Sequence, residues 1–242
     1  MAGHSKWANI KFRKAKQDKQ RGKVFTKLIR EITSATRMSG GDPNATPRLR
    51  AAIDKALGMN MTKDTIERAR KRGIGDQENM NLAEVRYEGY GPAGVAVIVD
   101  CLTDNKNRTV ADVRHAFSKC GGNLGTEGSV GYLFTERGVI SFAPHSDGEK
   151  VVETAIEAGA EDVRENDDHS LDVITLPEQF ISVKEALVAV GLNPENAEIT
   201  MIASTEVTLD QENAEQLIKL QDILDDLDDV QEVYHNANFP AT

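Results

Sequence analysis

The 242-residue chain is poor in sulfur and in rings, with two cysteines, one tryptophan, four tyrosines and seven phenylalanines. Cys101 and Cys120 are too few and too far apart for a disulfide framework or a thiolate zinc site, which fits a reducing compartment. An aromatic share of 5% beside 28% charged residues points to modest aliphatic cores in a well-hydrated protein. No stretch approaches the ~18 consecutive apolar residues of a membrane-spanning helix. The first residues are basic, without the apolar segment that follows in a secretory signal. Membrane passage and export are therefore not expected, and the cytoplasm is.

Catalytic signals are also missing. Neither cysteine has a histidine at a spacing that suggests a thiol catalyst; Cys120 falls on a buried helical stripe and His115 on the outer face. The glycine-rich GGNLGTEGSVGYLF, residues 121–134, lacks the Gly-Lys-Ser/Thr ending of a phosphate loop. It also leads from helix to strand, the reverse of the order that sets phosphate at a helix N-terminus. Pairs such as Asp100 with Asp104, or Glu165 with Asp167 and Asp168, sit beside no recognisable nucleophile. The acidic LDDLDDVQE, with Asp225, Asp226, Asp228, Asp229 and Glu232, lacks the glycine and ligand spacing of a calcium loop and is expected to be a solvated helix end. No enzyme, cofactor or metal is expected.

What the chain does have is a division of charge. Residues 1–79 carry 19 Lys/Arg against 8 Asp/Glu, residues 80–242 carry 10 against 31, and the overall −10 conceals both. Such asymmetry points to a basic module for a polyanion joined to an acidic body. The basic character is densest in the first 23 residues, where Lys6, Lys11, Arg13, Lys14, Lys16, Lys19, Arg21 and Lys23 face Asp18 as the only acid. With no apolar stripe, this arm is expected to stay unordered until it meets an anion. Solvated tail and binding arm are both open readings of a charge run, and a transit peptide is a third, disfavoured by the dominance of lysine over arginine. Trp7 and Phe12 can stack, and His4 can hydrogen-bond phosphate or base edges. The nucleic-acid-binding candidates are His4, Lys6, Trp7, Lys11, Arg13, Lys14, Lys16, Lys19, Arg21, Lys23, Lys27 and Arg30.

Periodicity then predicts three helices within residues 18–73. Phe25, Leu28, Ile29, Ile32 and Ala35 form the apolar face of the first, opposite Lys23, Lys27, Arg30 and Arg37. Thr46 and Pro47 open the second; Thr62 caps the third, which Gly73 and Gly75 end. The second and third can be read as a helix-turn-helix with Lys63, Arg68, Arg70, Lys71 and Arg72 on the reading helix, or as part of a plain three-helix bundle. Beyond them, residues 94–102 read as a central strand and DNKNRT, residues 104–109, opens a helix. Val130–Thr135 and Val139–Phe142 read as a hairpin around Glu136, Arg137 and Gly138.

The order of elements from Val139 to Ala203 is a split βαβ pattern. The expectation is an α+β multidomain chain: a basic arm and three-helix domain over residues 1–79, then two ferredoxin-like α/β domains, one inserted in the other. The discontinuous domain spans 80–135 and 204–242, and the inserted one spans 136–203.

Several long motifs, in order, carry a resemblance: MAGHSKWANIKFRK at the start, GGDPNATPRLRAAIDKA at 40–56, YEGYGPAG at 87–94, DNKNRTVADVRHAFSKCGGNLGTEGSVGYLF at 104–134 and DDVQEVYHN at 228–236. Over essentially its whole length the chain resembles the YebC/PmpR family. The resemblance implies an N-terminal helical domain with two α/β domains, and a bacterial cytoplasmic protein. It implies a nucleic-acid-binding regulator of gene expression, described in the family as a probable DNA-binding transcriptional regulatory protein. The alternative it carries is a ribosome-associated translation factor that binds ribosomal RNA and relieves stalling. The partner is thus duplex DNA or ribosomal RNA, with no membrane; the oligomeric state is not legible.

Overall fold

The computed structural model describes residues 21–40, 42, 46–75 and 82–239. The first helix, α1 (Arg21–Met38), buries Leu28, Ile32 and Ala35, with Phe25 and Ile29 half-buried beside them. In α2 (Pro47–Gly58) the Thr46 hydroxyl accepts the Leu49 N–H, and proline occupies the first turn, where its missing N–H would have had no helical partner. In α3 (Lys63–Ile74) Thr62 accepts the Thr65 N–H in the same way. Leu49, Ala52, Ala56, Ile66 and Ala69 close the small core against α1.

Gly73, expected to end α3, lies inside it and is buried. A Cβ there would stand 2.6 Å from the Thr33 carbonyl oxygen and 2.7 Å from Thr36 Cβ, so the glycine serves the close approach of α3 to α1.

The body begins with β1 (Ala83–Tyr90) and β2 (Ala96–Thr103), an antiparallel pair with Ala83 opposite Thr103 and Tyr90 opposite Ala96. Asn105 caps α4 (Lys106–Lys119), whose buried side is Thr109, Val113, Ala116 and Phe117, with Val110 half-buried. A short β3 (Asn123–Leu124) returns to pair with β1.

Next come β4 (Phe134–Phe142), α5 (Gly148–Glu157), β5 (Asp162–Glu165), β6 (Leu171–Thr175), α6 (Phe180–Ala189) and β7 (Asn196–Ala203). The chain ends its described course with β8 (Val207–Thr208), α7 (Gln211–Asp226), β9 (Val230–His235) and β10 (Ala237–Asn238). The two larger sheets have strand orders β3-β1-β2-β9 and β5-β6-β4-β7. The second is antiparallel throughout, with β6 set between β4 and β5, the arrangement of a split βαβ unit. Its strands all lie between β3 and β8 in sequence, so the first sheet draws on chain from both sides of it.

The expected hairpin around Glu136, Arg137 and Gly138 is not formed. Those residues lie within one continuous β4, opposite Met201, Thr200 and Ile199 of β7, and the strand also runs through residues 135 and 136, where a domain division was expected. Gly138 is therefore not a turn residue. A Cβ there would run into Thr175 Oγ1 and stand 2.6 Å from Phe180 Cδ2, so the glycine makes room for the start of α6 over the sheet.

The apolar run of β2 is buried on both faces, as a central strand requires. Val97, Val99 and Cys101 pack with Phe117 of α4 and with Leu217, Leu220 and Leu224 of α7. Ala96 and Ile98 face the other way, onto Val130 and Phe134, with Met201 and Ala203 half-buried alongside. One strand thus serves two cores, and the second joins the two larger sheets.

Candidate nucleic-acid interface

Of the arm candidates, His4, Lys6, Trp7, Lys11, Arg13, Lys14, Lys16 and Lys19 lie outside the described residues, and Arg21 is described in its backbone alone. The remaining three are brought together. Lys23, Lys27 and Arg30 recur at helical spacing along one side of α1, and that side meets the end of α7.

The acidic end of α7, expected to be solvated, is therefore engaged. Lys23 Nζ lies 2.8 Å from Asp226 Oδ1, and Lys55 of α2 lies 2.7 Å from Glu232 Oε1. Lys27 Nζ donates to the Asp225 carbonyl at 3.0 Å, and Arg30 donates to the Asp228 carbonyl at 2.7 Å. The physical cause is the helix end itself: the last turn leaves carbonyls without helical donors and carries the negative pole of the dipole, and α7 has no basic residue in that turn. Cations from another part of the chain fill the role. Burial lowers the Lys27 pKa, opposed by the nearby charge of Asp225.

Behind this seam lies a buried carboxylate. Asp229 accepts from Arg30 at 2.8 Å through one oxygen, and through the other from Arg108 at 2.8 Å and the Thr109 hydroxyl at 2.9 Å. Burial alone would push the carboxyl up. The hydrogen bonds from Arg108, Arg30 and Thr109 outweigh it and hold Asp229 below the ordinary carboxylate range. DNKNRT is thereby explained: Asn105 caps α4, Arg108 spans Asp104 and Asp229, and Thr109 reaches the same carboxylate. A cleft of about 420 Å³ opens here, walled by Arg30, Arg108, Thr109, Asp112 and Asp226–Asp229.

A second seam joins Arg48 of α2 to Glu31 of α1, at 2.6 and 3.0 Å, and to Glu84 of β1. Among the described residues, further exposed cations of the helical bundle are Arg37 on α1, Arg50 on α2 and Lys63, Arg68, Lys71 and Arg72 on α3. The α3 set lies opposite buried Ile66, Ala69 and Gly73, with Asp64 and Glu67 among it.

Of the acidic residues noted in the sequence, Asp100, Asp104, Glu165 and Asp168 have partners. Arg86 grips Asp100 with two bonds, at 2.7 and 2.8 Å, across the β1–β2 register, and Glu165 bonds His169. Glu88, which sequence reading did not single out, is buried and accepts the N–H groups of Gly128, Val130 and Gly131. That carboxylate, rather than a phosphate, is what the glycine-rich stretch wraps. Its signal is absent from spacing because acceptor and donors are some forty residues apart. The Cys101 thiol is pushed up to about 12 by burial, which leaves it protonated at neutral pH. Among the described residues, no group of three or more His, Cys, Asp or Glu is placed to hold a metal, and no helix is long and apolar enough to cross a membrane.

Comparison with known proteins places these features in a family. Residues 5–76 match the TACO1/YebC protein N-terminal domain, and residues 82–237 match the TACO1/YebC second and third domain. A "Probable transcriptional regulatory protein" of Coxiella burnetii (strain Dugway 5J108-111) is 66% identical over 99% of this chain and 98% of its own. A protein of the same name from Francisella tularensis (strain SCHU S4 / Schu 4) is 63% identical over 99% of this chain and 96% of its own. The crystal structure of a conserved hypothetical protein, Aq1575 from Aquifex aeolicus, superposes with a TM-score of 0.82 at 48% identity, covering 94% of each chain. With both parts of the chain matched in order and a solved relative of the same fold, the protein belongs to the TACO1/YebC family.

Proposed function

We propose that the protein is a non-enzymatic, cytoplasmic nucleic-acid-binding regulator of gene expression, acting on duplex DNA as a transcriptional regulator. The observation that carries the reading is the density of cations in residues 1–23, eight Lys/Arg against one Asp, on a chain whose body is strongly acidic. A surface of that sign is repelled by a polyanion that approaches within about 8 Å, the Debye length of physiological salt, so the basic end is the one that engages. The name borne by relatives 63–66% identical to this chain, probable transcriptional regulatory protein, supports the regulator role. Lys6, Lys11, Arg13, Lys14, Lys16, Lys19 and Arg21 contact phosphates in this reading, with Trp7 and His4 available to bases. The outer cations of α3 add to the positive charge of the N-terminal part.

The division of the chain belongs to the same proposal: the arm and helical domain of residues 1–79 bind, and the two α/β parts, 80–135 with 204–242 and 136–203, present the acidic remainder. The test is a fluorescence-anisotropy titration of the full chain against a random-sequence duplex and a ribosomal RNA fragment over a range of salt. Changing Lys6, Lys11, Arg13, Lys14, Lys16 and Lys19 together to Gln is expected to weaken duplex binding at least tenfold. It should also flatten the salt slope, by about 0.9 per lost phosphate contact. Unchanged affinity and slope would sink the proposal, and clear preference for the ribosomal fragment would move it from transcription to translation.

A further inference from the structure

We propose that the acidic segment at the end of α7 is a resident competitor for nucleic acid, holding Lys23 of α1 and Lys55 of α2 out of use until a polyanion displaces it. The inference rests on the nucleic-acid reading above and adds a regulatory contact to it. Lys23, Lys27 and Arg30 stand at i, i+4 and i+7 on α1, a stripe spanning about 10 Å at 1.5 Å rise per residue. Along that stripe the segment offers what a nucleic-acid backbone offers, a run of anionic and carbonyl oxygens: Asp226 to Lys23, the Asp225 carbonyl to Lys27, and Asp229 with the Asp228 carbonyl to Arg30. Glu232 adds one more, to Lys55 on the neighbouring helix.

The contact is graded in a way that suits exchange. Its inner member is fixed: Asp229 is buried and shared with Arg108 and Thr109, so Arg30 is held by a network. Its outer members are not: the side chains of Lys23 and Asp226 are 45% and 53% exposed, and those of Lys55 and Glu232 are 49% and 38% exposed. Exposed pairs are individually weak and salt-sensitive. A phosphate can therefore take either lysine from its carboxylate by side-chain motion alone, while Asp229 keeps the helical bundle on the body. A weakly held polyanion fails to displace the carboxylates and meets the arm only; a tightly held one recruits Lys23 and Lys55 as well.

The experiment compares the full chain with Asp226→Asn/Glu232→Gln in anisotropy titrations against a random-sequence duplex at several salt concentrations. A control, Glu153→Gln/Glu157→Gln on α5, removes the same charge from exposed positions elsewhere. The expected result for the seam variant is binding about three- to tenfold tighter, with a salt slope steeper by about 1.8, two further phosphate contacts. The control should show neither change. Equal tightening by both variants overturns the proposal, because net charge then explains it, and so does a seam variant with the affinity and slope of the natural chain. If the natural chain and the seam variant alike bind no nucleic acid at low salt, the function reading falls and takes the competitor with it. If the natural chain binds and the seam variant matches it, only the competitor falls.

Discussion

Removing the Asp229 carboxylate leaves Arg30 and Arg108 without the acceptor they share, at the wall of the cleft between them. Asp229→Ala is expected to cost about 2–3 kcal/mol in chemical denaturation, the range for breaking a buried, hydrogen-bonded charge. The pH dependence follows from the direction of the shift. Asp229 and Glu88 are held below their ordinary values in the native state, so their stabilisation is complete above the unfolded carboxylate range of about 4 and is lost as pH falls through the lowered native values. Thermal melts of the natural chain and Asp229→Asn should therefore differ most near neutrality and converge below about pH 4; a gap that widens in acid would contradict the assignment. Neither carboxylate could be singled out from sequence. Thr103 and Thr109 lie over a hundred residues from Asp229, and no local pattern tells a buried acid from the many solvated ones.

At the level of elements, periodicity and caps were legible because they depend on near neighbours. Thr46 and Thr62 mark helix starts by accepting N–H groups three residues on, Pro47 marks one by lacking an N–H that the first turn would leave unpaired, and the α1 stripe places Leu28, Ile32 and Ala35 inside. At two positions a glycine that has the look of punctuation in the sequence is spacing in the fold. Gly73 lets two helices touch, and Gly138 lets α6 cross β4. Gly138→Ala is accordingly expected to destabilise by about 1–3 kcal/mol, through the displacement of Phe180 and Thr175, the cost typical of overpacking. A denaturant midpoint equal to that of the natural chain would show that the sheet yields without strain. The expected hairpin failed for the same reason: Glu136-Arg137-Gly138 has the composition of a turn, but β7 supplies a full partner strand across it.

For the whole molecule, the ionic seam between the helical bundle and the body sets a graded response to salt. Raising ionic strength from about 0.15 M to 1 M shortens the Debye length from about 8 Å to about 3 Å. Hydrogen exchange should then quicken at the Lys23 end of α1, where the pair is exposed, and hold near Arg30, whose partner is buried. Uniform quickening along α1 would mean that the bundle parts from the body as one piece. The electrical division, the helix starts, the central strand and the split βαβ order are readable from the chain alone, because each is written in composition or in a period of a few residues. Where the charges go is set by folding. The cations of α1 and the acids after α7, separated by about two hundred residues, meet because α4 and α7 pack on the same face of β2, which brings the end of α7 beside α1. A charge count sees two opposed halves; folding sets part of each against the other, and among the described residues Arg37, Arg50 and the outer side of α3 are left exposed.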